Sequence, residues 1–418
     1  MDADDAPAIG ARARMIRRRR RMSLDVAAGL ASMSESSLAA LERGQRGFTR
    51  RGLIEDLAAA LGCSVADLTG QPYLPPDRAT ADAMSTVPGI ELAVCDGTLD
   101  DAPDLRARPV TELARLARQA NAYCDETRYA LAGRDLAAVL GELHVHAVTG
   151  DSDTRRAALA ALVEACLTAS GIARALGHSS LAVAVARRGY DAAERRGDPA
   201  LTAFAAMSRA GALTRVGARH RAAKVLGDAL AAVKSAVDPT AADNRPAQAA
   251  GMLHLASAEL ASHEGRGGDA DTQLAQATEL ARATGECNDL NYHFGPANVA
   301  AWSVAIGVEL ERGSEAAERA AADVSQWAAV LASADRRSFL HVDIARGWAQ
   351  AGGDRDAEAI RHLDTADRIA PTRIRNDPIV RELALTLDRR ARRRVGELNN
   401  LRDRFGIGGE RPSRSVKP

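Results

Sequence analysis

An all-α protein is predicted by three features of this chain of 418 residues. Aromatic residues make up only 3% of it while 46% belong to the hydrophobic set. Alanine and leucine are prominent in that set, a composition poor in strand formers and suited to helices packed closely through small side chains. Glycines then interrupt a helical pattern at regular intervals. The predicted organisation is a small helical unit over 1–70, a proline-rich linker over 71–109, helical repeats over 110–406 and a disordered tail over 407–418.

The elements of the first unit follow in order. A helix is predicted over 9–20, with Ile9, Ala13 and Ile16 on one stripe. Ser23 is placed to cap a second helix over 24–31, in which Val26, Ala27 and Leu30 recur at helical spacing. Ser34 caps a third, which carries Leu38 and Leu41 inward before Gly44 stops it. Only Ser32 and Met33 separate the second from the third. So short a link makes the two helices cross sharply, which is helix-turn-helix geometry. Leu53, Leu57 and Leu61 mark a fourth helix ended by Gly62, and Ser64 caps a fifth through Leu68. Five helices in about sixty residues can bury one small core.

In this order the pieces resemble the five-helix DNA-binding domain of the phage-repressor, or xenobiotic-response-element, regulators. The resemblance is carried by Ala27-Ala28, the Ser34 cap, Leu38, the ending Leu41-Glu42-Arg43-Gly44, and the tail Leu57-Ala58, Leu61-Gly62-Cys63-Ser64 and Leu68. It implies double-stranded DNA as a partner, with one helix in the major groove, and an ion pair between Arg17 and Glu42. The DNA-contacting positions it assigns are Ser23, Ser34, Glu35, Ser36, Ser37 and Ala40. Glu35 can accept a bond from cytosine N4, but no Arg, Asn or Gln stands where it would make a bidentate base contact. Leu24 also replaces the polar residue usual at the start of the second helix. Modest base discrimination is therefore expected, with most affinity coming from phosphates.

Charge agrees with that expectation. Between residues 9 and 51 eleven arginines oppose Asp25, Glu35 and Glu42, a net charge of +8 in a chain whose formal charge is zero. A local basic excess of this kind is the electrostatic footprint of a nucleic-acid surface. Arg43, Arg46, Arg50 and Arg51 follow the third helix, where phosphates would lie. The run Arg17 to Arg21 reads equally well as a solvated face of the first helix.

Beyond residue 110, Gly177, Gly217, Gly265, Gly313 and Gly353 are 40, 48, 48 and 40 residues apart, and each gap holds two helices. Stacked helix pairs are written this way because one pair cannot cover its own apolar face. Over 177–370 these units resemble tetratricopeptide repeats, though they are longer than usual and lack a clean consensus. The stretch 377–405, with arginines at 389, 390 and 392–394, is expected to be a polar terminal cap and, less readily, a second DNA contact.

No catalytic chemistry, metal or cofactor is expected. The histidines form no H-E-x-x-H, and His144 and His146 are too close in sequence to share a helix face. No P-loop and no G-x-S-x-G occurs. The five cysteines, 63, 95, 124, 166 and 287, are an odd number without C-x-x-C, which argues against a disulfide framework or a zinc site. No uncharged apolar run long enough to span a bilayer is present, since Glu164 interrupts 157–173, and Asp2, Asp4 and Asp5 make the N-terminus acidic. A cytoplasmic protein without membrane contact is therefore expected.

One segment stands out from the alanine background. Residues 288–302 gather Asn291, Tyr292, His293, Asn298 and Trp302, with Pro296 placed to open a helix on which Asn298 and Trp302 share a face. Amides and aromatics in a concave groove suit a peptide or small-molecule effector. The competing reading has Trp302 and Phe294 filling core while Asn298 bridges helices. The combined expectation is a homodimeric transcription regulator with a ligand-sensing repeat domain. Its rival is a protein-interaction adaptor that carries a degenerate helix-turn-helix.

Overall fold

The structure, a computed structural model, describes residues 8–391 and 396–406. Their regular structure is helical, apart from one isolated bridge between Cys287 and Phe294. Arg392 to Arg394, the acidic Asp2, Asp4 and Asp5, and the tail 407–418 lie outside the described residues.

The N-terminal unit comprises α1 (Ile9–Arg19), α2 (Leu24–Leu30), α3 (Glu35–Glu42), α4 (Arg51–Leu61) and α5 (Val65–Thr69). Three serines start helices as expected. Ser23 accepts from the Val26 N–H, Ser34 from the Ser37 N–H, and Ser64 forms a reciprocal capping box with Asp67. Gly62 closes α4 with a left-handed φ of 57°. Ile9, Ala13, Ala27, Ala28, Leu38, Leu41, Leu57 and Leu61 share one core. The second helix is rotated from the expected register. Val26 and Leu30 point outward, 50% and 62% exposed, while Ala27, Ala28 and Ala31 fill the core.

The expected linker is corrected. Within 71–109, α6 (Arg78–Met84) and α7 (Val87–Asp96) bury Ala83, Val87, Ile90 and Val94 in the same core as Leu113 and Leu140. Of the six prolines that suggested a linker, two stand at helix starts, Pro88 in the first turn of α7 and Pro109 ahead of the next helix.

Then follow α8 (Val110–Asp125), α9 (Tyr129–Gly133) and α10 (Leu136–Thr149). Five helical hairpins come next. They are α11 (Ser152–Ala175) with α12 (Ser179–Arg196), α13 (Pro199–Arg215) with α14 (Arg219–Val233), and α15 (Arg245–His263) with α16 (Gly267–Thr284). The last two are α17 (Pro296–Glu309) with α18 (Gly313–Val330), and α19 (Ala334–Ala351) with α20 (Asp356–Ile369). The first helices of successive hairpins pack on one another as the inner layer of a superhelix. The chain ends with α21 (Pro371–Arg375), α22 (Pro378–Arg390) and α23 (Gly396–Phe405).

Gly177, Gly217, Gly265 and Gly353 all take positive φ at helix ends, as the spacing implied. Gly313 does not. The turn after α17 is made by Glu311 at φ 60°. Gly313 instead opens α18, where any side chain would collide with Gln350 and with the backbone of Gly347 on α19. That glycine is needed for close approach of two helices and not for a turn.

The terminal cap is also more than polar. Val380, Leu383, Ala384 and Leu387 of α22 are buried in the last hairpin's core, and Ile379 is buried in the core of the N-terminal unit. Helix α11 is long and apolar enough to cross a membrane by length and composition, and 67% of its most apolar window is buried inside the fold.

Candidate functional site

The outward face of the N-terminal unit is built by α3 and the loop after it. Glu35 and Ser36 are exposed and Ser37 and Ala40 are half-buried, while Leu38, Ala39, Leu41 and Glu42 face inward. The Ser34 hydroxyl donates to Ser37 Oγ at 2.8 Å, and Arg46 Nη1 reaches Ser37 Oγ at 3.3 Å. Arg43 and Arg46 are exposed at the end of the helix. Ser23 is exposed at the head of α2. Beneath this face Arg17 donates to both carboxylate oxygens of Glu42, at 2.6 and 2.7 Å, and to the Met22 carbonyl at 3.0 Å. This bidentate pair anchors the end of α3 to α1. Burial disfavours the Arg17 charge, but its bond to Glu42 prevails and raises its pKa.

Arg50 and Arg51, expected on the same phosphate-facing surface, point the other way. Arg51 is buried and pairs with Asp377 at 2.9 Å. Arg50 meets Glu311 at 3.2 Å. The reason lies at the start of α4, whose N-cap is Arg50 and supplies no side-chain cap. Glu309, the last residue of α17, fills that role, accepting from the N–H groups of Arg51 at 3.0 Å and Gly52 at 3.3 Å. Arg346 binds Glu309 and reaches Asp343 at 2.6 Å and the Thr49 carbonyl at 2.7 Å. Arg219 joins Glu55 at 2.6 Å, Asp56 at 2.7 Å and the Gly52 carbonyl at 2.8 Å. His263 lies 3.2 Å from Glu55. Gly52 is required here, because a Cβ would stand 2.5 Å from the His263 carbonyl.

Electrostatics reinforce this clamp. Burial opposes ionisation of Glu309, yet Arg346, His263 and the Arg51 N–H hold its carboxyl down at about 2. Asp377 is likewise buried and is held well below the usual range by Arg51, Arg373 and Arg215. His263 is fully enclosed, and Glu55 and Glu309 outweigh that burial to raise its pKa.

A second feature is a cavity of about 450 Å³ on the inner side of the superhelix. Four of the five expected ligand residues line it, namely Asn291, Tyr292, His293 and Trp302. Trp302 lies on α17, and the loop between α16 and α17 brings Asn291, Tyr292 and His293 there by crossing to α8 and α11. Asn291 donates to Glu164 of α11 at 3.1 Å, and His293 meets Asp125 of α8 at 2.8 Å. Both loop residues take left-handed backbone, with φ of 57° and 53°, a strained conformation held by those distant partners. Tyr292 packs edge-on against Phe204 at 5.4 Å.

Asn298 does not line the cavity. It is fully buried beneath the loop, donating to the His293 carbonyl at 2.8 Å and accepting from Arg336 Nε at 3.0 Å. Arg336 in turn stacks over the Trp302 ring at 5.0 Å. Phe294 fills core against Gly251. The competing reading therefore holds for Phe294 and Asn298, whereas Trp302 both packs and lines the cavity. Glu164 also lines it, and burial pushes its carboxyl up to about 7 against the pull of Arg118.

Cavity and clamp are joined by a chain of ion pairs. Asp335 lines the cavity and binds Arg373 at 2.9 Å, Arg373 reaches Asp377 at 3.3 Å, and Asp377 binds Arg51 of α4. Sequence reasoning missed Glu309, Arg346, Arg219, His263 and Asp377. One signal was present, since an acid closing an apolar helix, as Glu309 does, opposes the helix dipole and points to an external partner.

Among the described residues no group of three or more His, Cys, Asp or Glu is placed to hold a metal. His144 and His146 bond separately, to the Leu140 and Arg108 carbonyls at 2.6 and 2.7 Å.

Residues 8–69 match a family model described as a helix-turn-helix domain. The N-terminal unit is therefore a helix-turn-helix domain, set on a helical-repeat superhelix. No curated protein and no solved structure gives a significant match to the chain.

Proposed function

We propose that this chain is a DNA-binding transcription regulator of the xenobiotic-response-element type, whose tetratricopeptide-like repeats sense a small ligand or peptide. The observation that carries the reading is the division of the helix-turn-helix domain into two faces. Its α3 face is open and edged by Arg43 and Arg46, while its α4 face is fixed to the repeats by buried ion pairs. An open reading helix flanked by exposed guanidiniums that, among the described residues, bond only neutral side chains suits phosphate-dominated DNA binding. The chain Asp335–Arg373–Asp377–Arg51 supports a route by which occupancy of the cavity alters the seating of the domain.

The regulator acts as a homodimer in this reading, because paired half-sites place recognition helices about 34 Å apart. Ligand-driven changes in superhelix curvature would alter that spacing. Small-angle scattering that shows a strict monomer with and without DNA would remove the dimer mechanism.

The experiment that tests the function is binding of the full chain to a duplex from the region upstream of its own gene, at two salt concentrations and against unrelated competitor. Binding that survives competitor is the expected result. Binding that vanishes with competitor and salt would favour the adaptor, whose thin base-reading set of Glu35, Ser36 and Ala40 would then mark a remnant domain.

A further inference from the structure

Between the cavity and the helix-turn-helix domain lies a recess of about 80 Å³ that shares Arg174, Tyr292, Trp302, Asp335, Arg336 and Arg373 with the cavity wall. Six arginines line this recess against four acids, or five with Asp377 just behind it. His263 adds a further basic group.

The acids are largely committed. Glu309 and Asp343 take Arg346, while Asp335 and Asp377 take Arg373, and Asp377 also takes Arg51. Three guanidiniums remain short of counter-charge. Arg174 meets no hydrogen-bond acceptor among the described residues and feels Asp335 only through longer-range attraction. Arg215 reaches Asp377 at 3.9 Å, on an oxygen already shared with Arg51 and Arg373. Arg336 bonds the neutral Asn298, stacks on Trp302, and feels Asp335 and Asp343 only through longer-range attraction. Against them stands one lining acid, Glu259, whose carboxylate has no bond among the described residues.

Two further observations agree. The Trp302 indole N–H, a donor only, is buried without a hydrogen-bond partner among the described residues, in a residue 8% exposed. The Arg215 guanidinium is pushed down to about 9 by burial and by the nearby Arg51 charge.

We propose that this recess is an oxyanion site. The repeat-domain ligand then carries a carboxylate or phosphate held by Arg174, Arg215, Arg336 and the Trp302 N–H, with an apolar or aromatic body against Leu201, Phe204 and Tyr292 in the wider cavity. Guanidinium forks suit such groups better than any other ligand chemistry, and the volume fits a ligand of drug-like size. The inference rests on the reading of the cavity as the sensor site.

Calorimetric titration of the full chain with four probes tests it: 4-phenylbutyrate, 4-phenylbutyl phosphate, 4-phenylbutanol and 4-phenylbutylamine. At least one anion is expected to bind tenfold or more tighter than the alcohol, with the amine weakest, and the tighter anion identifies the head group. Arg174→Met and Arg336→Met should each weaken the anion tenfold or more and leave the alcohol unchanged. The melting temperature without probe shows that each variant is folded. Alcohol or amine binding as tightly as the anions, failure of both anions to bind, or folded variants with unchanged anion affinity would overturn the site. The sensor reading fails separately, if DNA affinity is the same with and without a bound probe.

Discussion

Arg43 and Arg46 lie within eight residues of Arg50 and Arg51 in the sequence, yet the two pairs belong to opposite faces of one domain. The first pair is exposed beside α3, and the second turns into the repeats, where Arg51 meets Asp377. The contrast teaches that a basic run is not one surface. Its members divide according to which acids the rest of the fold brings near, and Glu309 and Asp377 arrive from more than 250 residues away.

The largest effect should come from the inward face. Asp377→Ala leaves Arg51 and Arg373 buried without their shared partner and should cost about 3–5 kcal/mol, read as a lower midpoint in urea. A loss below about 1 kcal/mol would mean that the clamp contributes no more than a surface pair.

Next comes pH. The folded pKa of Glu309, about 2, lies below its ordinary 4.5. Its contribution is therefore present above about 4.5 and lost as pH falls toward 2. The raised pKa of His263 works in the opposite sense, contributing below 6.5 and fading as pH rises through the raised value. Protection of the amides at the start of α4, corrected for their intrinsic base-catalysed exchange, should thus be greatest between about pH 4.5 and 6.5 and fall on both sides, while protection in α3 follows only its own local bonds. Equal pH dependence in the two helices would erase the contrast.

Glu164 sharpens the picture at the cavity. Because its pKa is raised from 4.5 to about 7, the folded state binds its proton more tightly, and stability falls as pH climbs through that window. Glu164→Gln should remove this slope, a gain approaching about 3 kcal/mol at pH 8 relative to pH 4. An unchanged slope would show that the carboxyl is solvated. The smallest effect belongs to the outward face, where Ser34→Ala removes the α3 cap and should cost about 1 kcal/mol of stability.

Much of the fold was legible because its causes are local. Serine caps and the glycines after helices are decided within a few residues, so their spacing carries the answer, while the Arg17–Glu42 pair came from the resemblance. The register of α2 was not legible. Val26 and Leu30 are the larger side chains, yet the fold leaves them outside and buries Ala27 and Ala28. Six prolines between 72 and 109 gave a linker, although Pro88 and Pro109 among them stand at helix starts.

The cavity was legible in part, since Asn291, Tyr292, His293 and Trp302 are unusual in an alanine-rich chain and do converge. Asn298 shares their segment but serves to hold the loop and Arg336. Arg174, Arg215 and Arg336 could not be picked from a chain with 55 basic residues. Only the superhelix brings them together.

The division of the arginines is tested most directly by the salt dependence of DNA affinity in two variants, Arg43→Ala with Arg46→Ala, and Arg50→Ala with Arg51→Ala. The first should weaken binding and lower the slope of log affinity against log salt by about 0.9 for each phosphate contact removed. The second should lower stability and leave the slope unchanged. A slope that falls with Arg50 and Arg51 while remaining intact without Arg43 and Arg46 would contradict the account.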